Sequence, residues 1–269
     1  MDTVPVCGPE GPIRAGATAS AAPVPLRAVL FDFSGTLFQI GTYADRIRAA
    51  LGRPVGEAEM DHLLDGLERG LTEPAVVAAQ QARDVSAAAH RRAFTAWYAS
   101  VPALAPVAEV LYEQLRAPGH WVPYADTGAT LAALRGAGLT LGVLSNVGWD
   151  LRETFAHHGV AEYFSCWVHS YEHATEKPDP ALFRTACREL GADPDETLMV
   201  GDHPAADGGA AGAGLRAYVL PAGASPGGVR GLDAVLHLAG IRKAGAASWS
   251  GPPACTGRPP GQSGQGSAA

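Results

Sequence analysis

Five short apolar runs punctuate the chain: Arg27–Phe33 (RAVLFDF), Thr140–Ser145 (TLGVLS), Trp167–Ser170 (WVHS), Thr197–Gly201 (TLMVG) and Arg216–Leu220 (RAYVL). They are continuously apolar rather than alternating, the pattern of strands covered on both faces in a parallel sheet. Segments with apolar positions three and four apart separate the later ones, over Thr127–Gly136, Asp150–His158 and Pro180–Leu190, and predict helices. Strand and helix in alternation predict a doubly wound α/β sheet, whose ligands sit beyond the carboxyl ends of the strands.

The first strand breaks this rhythm. Between Phe38 and Tyr124 every apolar pattern is of helix type, over Tyr43–Leu51, Glu57–Leu71, Ala75–Arg83, Val85–Ser100 and Val107–Leu115. An all-helical insertion directly after a first strand predicts a module over the carboxyl edge of the sheet, able to close on a ligand. The expected division is an α/β core of residues 25–38 and 121–241 with a helical module of 39–120. Residues 1–24 and 242–269 are rich in Pro, Gly, Ala and Ser without periodicity and predict flexible tails, with Trp249 the one residue suited to docking.

Composition narrows the classes. Of 269 residues 47% are hydrophobic and 17% charged, enough apolar material for a core and too much for disorder throughout. A formal net charge of −7 without a basic stripe argues against nucleic acid as a partner. No apolar run reaches the roughly 20 residues of a membrane span, and the first 20 residues lack the apolar segment of a secretory signal. Cys7, Cys166, Cys187 and Cys255 are scattered without a CxxC pair, as expected of reduced thiols in a cytoplasmic protein. Only Lys177 and Lys243 are lysines among the 20 basic residues. With the Ala, Gly and Pro richness this suggests a GC-rich bacterial source, and it singles out Lys177, a lysine in mid-fold.

Four polar segments fall, in order, at the carboxyl ends of predicted strands. VLFDFSGTLF places Asp32 after the first, with Gly35 to turn the backbone and Thr36 to offer a hydroxyl. LSNVGWD places Ser145 and Asn146 after the second, EKPDP places Lys177 beyond the third, and VGDHPAADGGAAGAG places Asp202 and Asp207 after the fourth. One such match is weak; four along one parallel sheet converge on a single crevice.

Over Leu26–Leu238 these motifs resemble the haloacid dehalogenase superfamily, in the branch with a helical cap between the first and second motifs. The resemblance implies a Rossmann-like core, a four- or five-helix cap and a site between them. It also implies a magnesium-dependent phosphatase or phosphotransferase acting on a small phosphorylated metabolite through an aspartyl-phosphate. Asp32 would be the nucleophile. Mg2+ would be held by Asp32, the backbone carbonyl of Ser34, Asp202 and Asp207, with a helix-capping or orienting role as the alternative for Asp207. Lys177 would neutralise Asp32 and a phosphate oxygen. Ser145, the Asn146 backbone N–H and Thr36 would hold phosphoryl oxygens.

One position departs from the pattern. The family's phosphatases carry a second Asp two residues after the nucleophile, which protonates the leaving oxygen and later activates water. Here that position is Ser34, which cannot act as an acid near neutral pH, a loss of roughly 10²–10⁴-fold in rate. Three readings follow. The first is a phosphatase or phosphotransferase with altered proton chemistry, either acting on acyl phosphates or anhydrides or taking its proton elsewhere, with His203 the nearest by sequence. The second is a 2-haloacid dehalogenase-like hydrolase; such enzymes also lack the second Asp but work without a metal, against the Gly201-Asp202 signature. The third is a catalytically weak or inactive binding protein. A phosphonatase-like Schiff base is disfavoured because the insertion contains no lysine.

Substrate recognition is expected in the insertion, where His90, Arg91, Arg92, Trp97 and Tyr98 form the most polar-aromatic cluster. Arg91 could bind a second anionic group, whereas aromatics at helical spacing are more often module core. Tyr43 and Trp149 could also touch substrate. A monomer and a homodimer are both compatible with the sequence.

Overall fold

The computed structural model describes residues 24–241. The two expected tails, Trp249, Cys7 and Cys255 lie outside the described residues, apart from Val24 at the edge of the first. In chain order the elements are β1 (Ala28–Phe31), β2 (Phe38–Ile40), α1 (Tyr43–Leu51), α2 (Glu57–Gly70), α3 (Pro74–Gln80), α4 (Ala87–Ala99), α5 (Ala108–Arg116), β3 (Trp121–Pro123), α6 (Thr127–Gly136), β4 (Thr140–Ser145), α7 (Arg152–His157), β5 (Cys166–His169), α8 (Ser170–His173), α9 (Pro180–Leu190), β6 (Thr197–Gly201), β7 (Arg216–Val219) and α10 (Asp233–Leu238).

Five strands form the parallel sheet expected from the apolar runs, in the order β5-β4-β1-β6-β7. β1 is central because all four of its residues are apolar and buried, which a strand achieves only with a partner on each edge and a layer on each face. Its residues alternate between two cores: Val29 and Phe31 join one cluster with Leu141, Val143, Leu198 and Val200, while Leu30 joins the other with Leu144, Val168, Phe183 and Met199. The chain runs outward from β1 to β4 and β5, then returns to β6 on the opposite side. That reversal opens a crevice at the carboxyl edge beside β1, where the polar segments converge.

A second, two-stranded antiparallel ribbon pairs β2 with β3 at the root of the helical insertion, Phe38 opposite Pro123 and Ile40 opposite Trp121. Three-residue strands are too short to show a period, so sequence pattern did not reveal them. Within the insertion α1 starts at the N-cap Thr42, whose hydroxyl accepts Asp45 N–H, and stops at Gly52 in the left-handed conformation, the helix punctuation expected of those residues. The core of the insertion includes Trp97 and Tyr98: Trp97 Nε1 donates to Leu67 O at 2.8 Å, and the buried Arg46 donates to Tyr98 Oη at 3.0 Å and Leu111 O at 2.8 Å.

Two boundaries bear on function. The helix expected over Val85–Ser100 starts later, at Ala87, because Ser86 caps it by accepting Ala89 N–H; the residues before it, Arg83–Val85, form a separate 3-10 turn. The run expected as a strand through Ser170 ends at His169, and Ser170 opens α8. Cys166 and Cys187 are buried free thiols. Among the described residues no helix is long and apolar enough to cross a membrane.

Candidate active site

Asp32 follows the last residue of β1 and remains in the ladder, its N–H donating to Val200 O at 2.9 Å. The next turn is closed by Phe33 O, which accepts Leu37 N–H and Phe38 N–H. Gly35 is obligatory there for two reasons. Its φ is +75°, a region open to glycine at little cost, and a Cβ would run into the Asp202 carboxylate. Gly201 has the same function on β6, where a Cβ would overlap the Asp207 carboxyl carbon.

Lys177 ties the cluster together. Its ammonium donates to Asp32 Oδ1 at 2.8 Å, Asp207 Oδ1 at 2.6 Å and Leu144 O at 3.0 Å, so all three of its protons are used. It is buried, with 4% of its surface exposed. Asn146 fixes its backbone from both sides: Oδ1 accepts Lys177 N–H at 2.7 Å and Nδ2 donates to Lys177 O at 3.0 Å. The Asn146 side chain is therefore engaged in aiming Lys177. Asp207 is also engaged at both oxygens, since Oδ2 accepts His203 N–H at 2.9 Å. Asp202 is only half-buried. One oxygen from each of Asp32, Asp202 and Asp207 lies within 4.8 Å of the others.

Burial raises the Asp32 pKa to about 6; Lys177 opposes the rise, and Asp207 and Asp202 add to it. Burial alone would favour a neutral Lys177, but the facing Asp32 and Asp207 carboxylates more than reverse this and hold its pKa above the ordinary lysine value. Asp202 is also pushed up, first by burial and then by Asp207, against the pull of Arg230 and Lys177. Two carboxylates thus bond one ammonium and a third, Asp202, lies beside them, leaving negative charge that a divalent cation would neutralise. Hard carboxylate oxygens are the donor set such an ion takes, and the glycine cradle at Gly35 leaves room for Asp202 to approach. Thr36 Oγ1, fully buried beside this turn, has no hydrogen-bond partner among the described residues.

The other expected residues divide between the edge of this cluster and the insertion. Ser145 is buried at the end of β4, in register with His169. Ser34 is exposed and pairs through its backbone with Phe38. His203 is exposed, and its Nδ1 accepts Ala206 N–H at 3.1 Å. Arg91 does not join the site: it lies exposed on α4, bonded to Glu109 at 2.7 Å and Glu113 at 3.0 Å and stacked over Tyr112. Carboxylates one helix away on α5 satisfy the guanidinium that the sequence offered to a substrate. Arg92 is exposed, Tyr43 packs edge-on against Trp97, and Trp149 is buried against His90 and Trp121.

Arg230 escaped the sequence reading. It is 6% exposed, donates through Nε to Gly35 O at 2.6 Å and through Nη1 to Pro221 O at 2.7 Å, and stacks over Tyr124. Asp126 sets its position by accepting the N–H groups of Arg230, Gly231 and Leu232 at 2.7–2.8 Å. Nothing local marks Arg230 among many arginines; only the fold brings it to the Asp32 turn.

A buried lysine between carboxylates at the edge of a parallel sheet, in a chain with a helical insertion after its first strand, defines a Rossmann-like α/β enzyme. The haloacid dehalogenase-like hydrolase family matches residues 26–214, and the chain belongs to that family. It is 32% identical to a glyceraldehyde 3-phosphate phosphatase of Methanopyrus kandleri over 66% of this chain and 76% of that one. It is 39% identical to a phosphoserine phosphatase of Thermus thermophilus over 45% of this chain, spanning about half (48%) of that protein. Among solved structures it resembles a HAD phosphatase from Thermococcus onnurineus (TM-score 0.54, 24% identity, 80% of this chain and 98% of that one). It also resembles the L-2-haloacid dehalogenase of Xanthobacter autotrophicus (TM-score 0.56, 25% identity, 72% and 77%). That family is one of hydrolases, and phosphatases are among the chain's relatives.

Proposed function

We propose that the protein is a Mg2+-dependent phosphatase or phosphotransferase acting on a small phosphorylated metabolite, with Asp32 as nucleophile. The observation that carries this reading is Lys177 Nζ bonded at once to Asp32 and Asp207, with Asp202 in the same cluster. A dehalogenase displacing halide from carbon has no need of that concentration of carboxylate. Residues 39–120 serve as the cap that closes over the substrate.

In this reading Lys177 keeps the Asp32 carboxylate ionised and fixed through Oδ1. Oδ2 attacks phosphorus, the bond to the leaving oxygen breaks, and an aspartyl-phosphate forms. Water then attacks that phosphorus and releases inorganic phosphate and Asp32. Ser145 and the Asn146 N–H receive the phosphoryl oxygens, and the unpartnered Thr36 hydroxyl is available to the same group. Asp32, Asp202 and the Ser34 carbonyl would hold the magnesium ion, which supplies positive charge against the phosphoryl oxygens. Asp207, with both oxygens already bonded, orients Lys177 and the Asp202 loop rather than binding the ion itself.

The test is a hydrolysis screen over phosphomonoesters (phosphoserine and glyceraldehyde 3-phosphate among them), acyl phosphates and 2-haloacids, each with magnesium and with chelator. Magnesium-dependent phosphate release, lost in Asp32→Asn, is expected. Halide release that resists chelator, or no turnover of any class, overturns the reading.

A further inference from the structure

Exposed Ser34 leaves the site without a proton donor on the nucleophile's own loop. The insertion brings a carboxyl group to the same edge. Asp84, in the 3-10 turn before α4, is 7% exposed. Its carbonyl accepts from Ser170 Oγ at 2.6 Å, and that hydroxyl in turn accepts Val147 N–H at 2.9 Å, in the loop holding Ser145 and Asn146. Glu176, the neighbour of Lys177, lies close enough to feel the Asp84 charge. The turn is thus pinned through Ser170 beside the loop that holds Ser145 and Asn146. Gly148 makes the docking possible, since a Cβ there would overlap the His90 ring.

The Asp84 side chain is left incomplete by these contacts. Oδ1 is buried and has no hydrogen-bond partner among the described residues. The charged and titratable groups facing it are Arg83 (3.4 Å) and His90 Nε2 (3.6 Å) from the insertion, with Glu176 and Lys177 from the core. Burial raises its pKa against the pull of Arg83 and Lys177, as expected of a carboxyl taken out of water.

We propose that Asp84 supplies the proton chemistry that Ser34 cannot, an assignment that rests on the phosphatase reading. The Asp84 carboxyl gives its proton to the leaving oxygen as the P–O bond breaks and Asp32 bonds to phosphorus. The resulting Asp84 carboxylate takes a proton from water as the water oxygen attacks the aspartyl-phosphate, which releases phosphate and Asp32 and restores the Asp84 carboxyl. Closure of the insertion would then do two things at once: exclude bulk water and deliver the acid.

The test compares a poor leaving group, phosphoserine, with good ones, p-nitrophenyl phosphate and acetyl phosphate, in the magnesium-loaded full chain. Asp84→Asn is expected to lower kcat on phosphoserine by about 10²–10⁴-fold. Phosphorylation by acetyl phosphate should survive within about tenfold, with aspartyl-phosphate accumulating because its hydrolysis has lost its base. Ser34→Asp in the Asp84→Asn background should restore phosphoserine turnover, which a structural role for Asp84 would not allow. Should Asp84→Asn fail to fold, Ser170→Ala, which frees the turn, is expected to show the same selective loss. Equal loss on all leaving groups, or no loss, overturns the assignment while leaving the phosphatase reading intact. A wild type that transfers phosphate from none of the probes overturns that reading itself.

Discussion

The sheet edge that forms the floor of the site and the helical insertion, its proposed roof, are built differently. On the floor Asp32, Lys177, Asp202 and Asp207 each follow a strand of one sheet, and direct bonds of 2.6–2.8 Å join Lys177 to Asp32 and Asp207. On the roof the residues chosen for their chemistry turn away. Arg91 is bonded to Glu109 and Glu113, and Trp97 and Tyr98 fill the core of the insertion, while Asp84, in a three-residue turn, accepts a hydrogen bond from Ser170 of the α/β core. A parallel sheet dictates where its loops converge, so motif order suffices to place a floor. A helical module has no such rule, and its contribution depends on how it docks.

Breaking the floor gives the largest effects. Asp32→Asn removes the nucleophile and is expected to reduce phosphate release by roughly 10³-fold or more in steady-state assays, with little change in fold by circular dichroism. Lys177→Met leaves buried carboxylates without their partner. Urea unfolding in chelator is expected to show a loss of about 3–5 kcal/mol, smaller when magnesium is added, because a cation bound to the native state offsets the missing ammonium. Gly35→Ala combines a positive φ with a clash at Asp202. Calorimetric titration is expected to show roughly 10–100-fold weaker magnesium binding.

The roof yields smaller effects, read against pH. Burial depresses the His90 pKa to about 3, with the Arg83 and Arg116 charges adding to the effect. The unfolded imidazole titrates near 6.5, so the unfolded chain takes up a proton there and the native state does not. The stability associated with neutral His90 is complete above pH 6.5 and is lost as pH falls toward 3, by about 1.4 kcal/mol per pH unit. His90→Gln should flatten that limb in unfolding midpoints measured between pH 7 and about 4. The smallest effect belongs to Arg91→Ala. Its exposed pairs with Glu109 and Glu113 are screened by solvent and add little to stability, and kcat and KM should match the wild type. A large rise in KM would return Arg91 to the site.

The same contrast explains what could be read without coordinates. Continuous apolar runs gave the five core strands, and Lys177 stood out because the chain otherwise writes arginine. Asp207 was visible but its choice of partners was not, since only distances show both its oxygens bonded. Arg230 and Asp126 were invisible, being about 100 residues apart in sequence and joined only in the fold. Asp84 fell in the one-residue gap between the expected helices Ala75–Arg83 and Val85–Ser100, where no motif marks it; only the fold sets its turn against Ser170.

The proposed mechanism requires Asp32 to form a covalent bond to phosphorus beside a divalent ion. The most direct measurement is mass spectrometry of the full chain, acid-quenched after brief exposure to acetyl phosphate and magnesium. One phosphoryl group on the peptide containing Asp32, absent in Asp32→Asn and with chelator, is the predicted result. Phosphate release that proceeds without that adduct, or with the label on another residue, would contradict it.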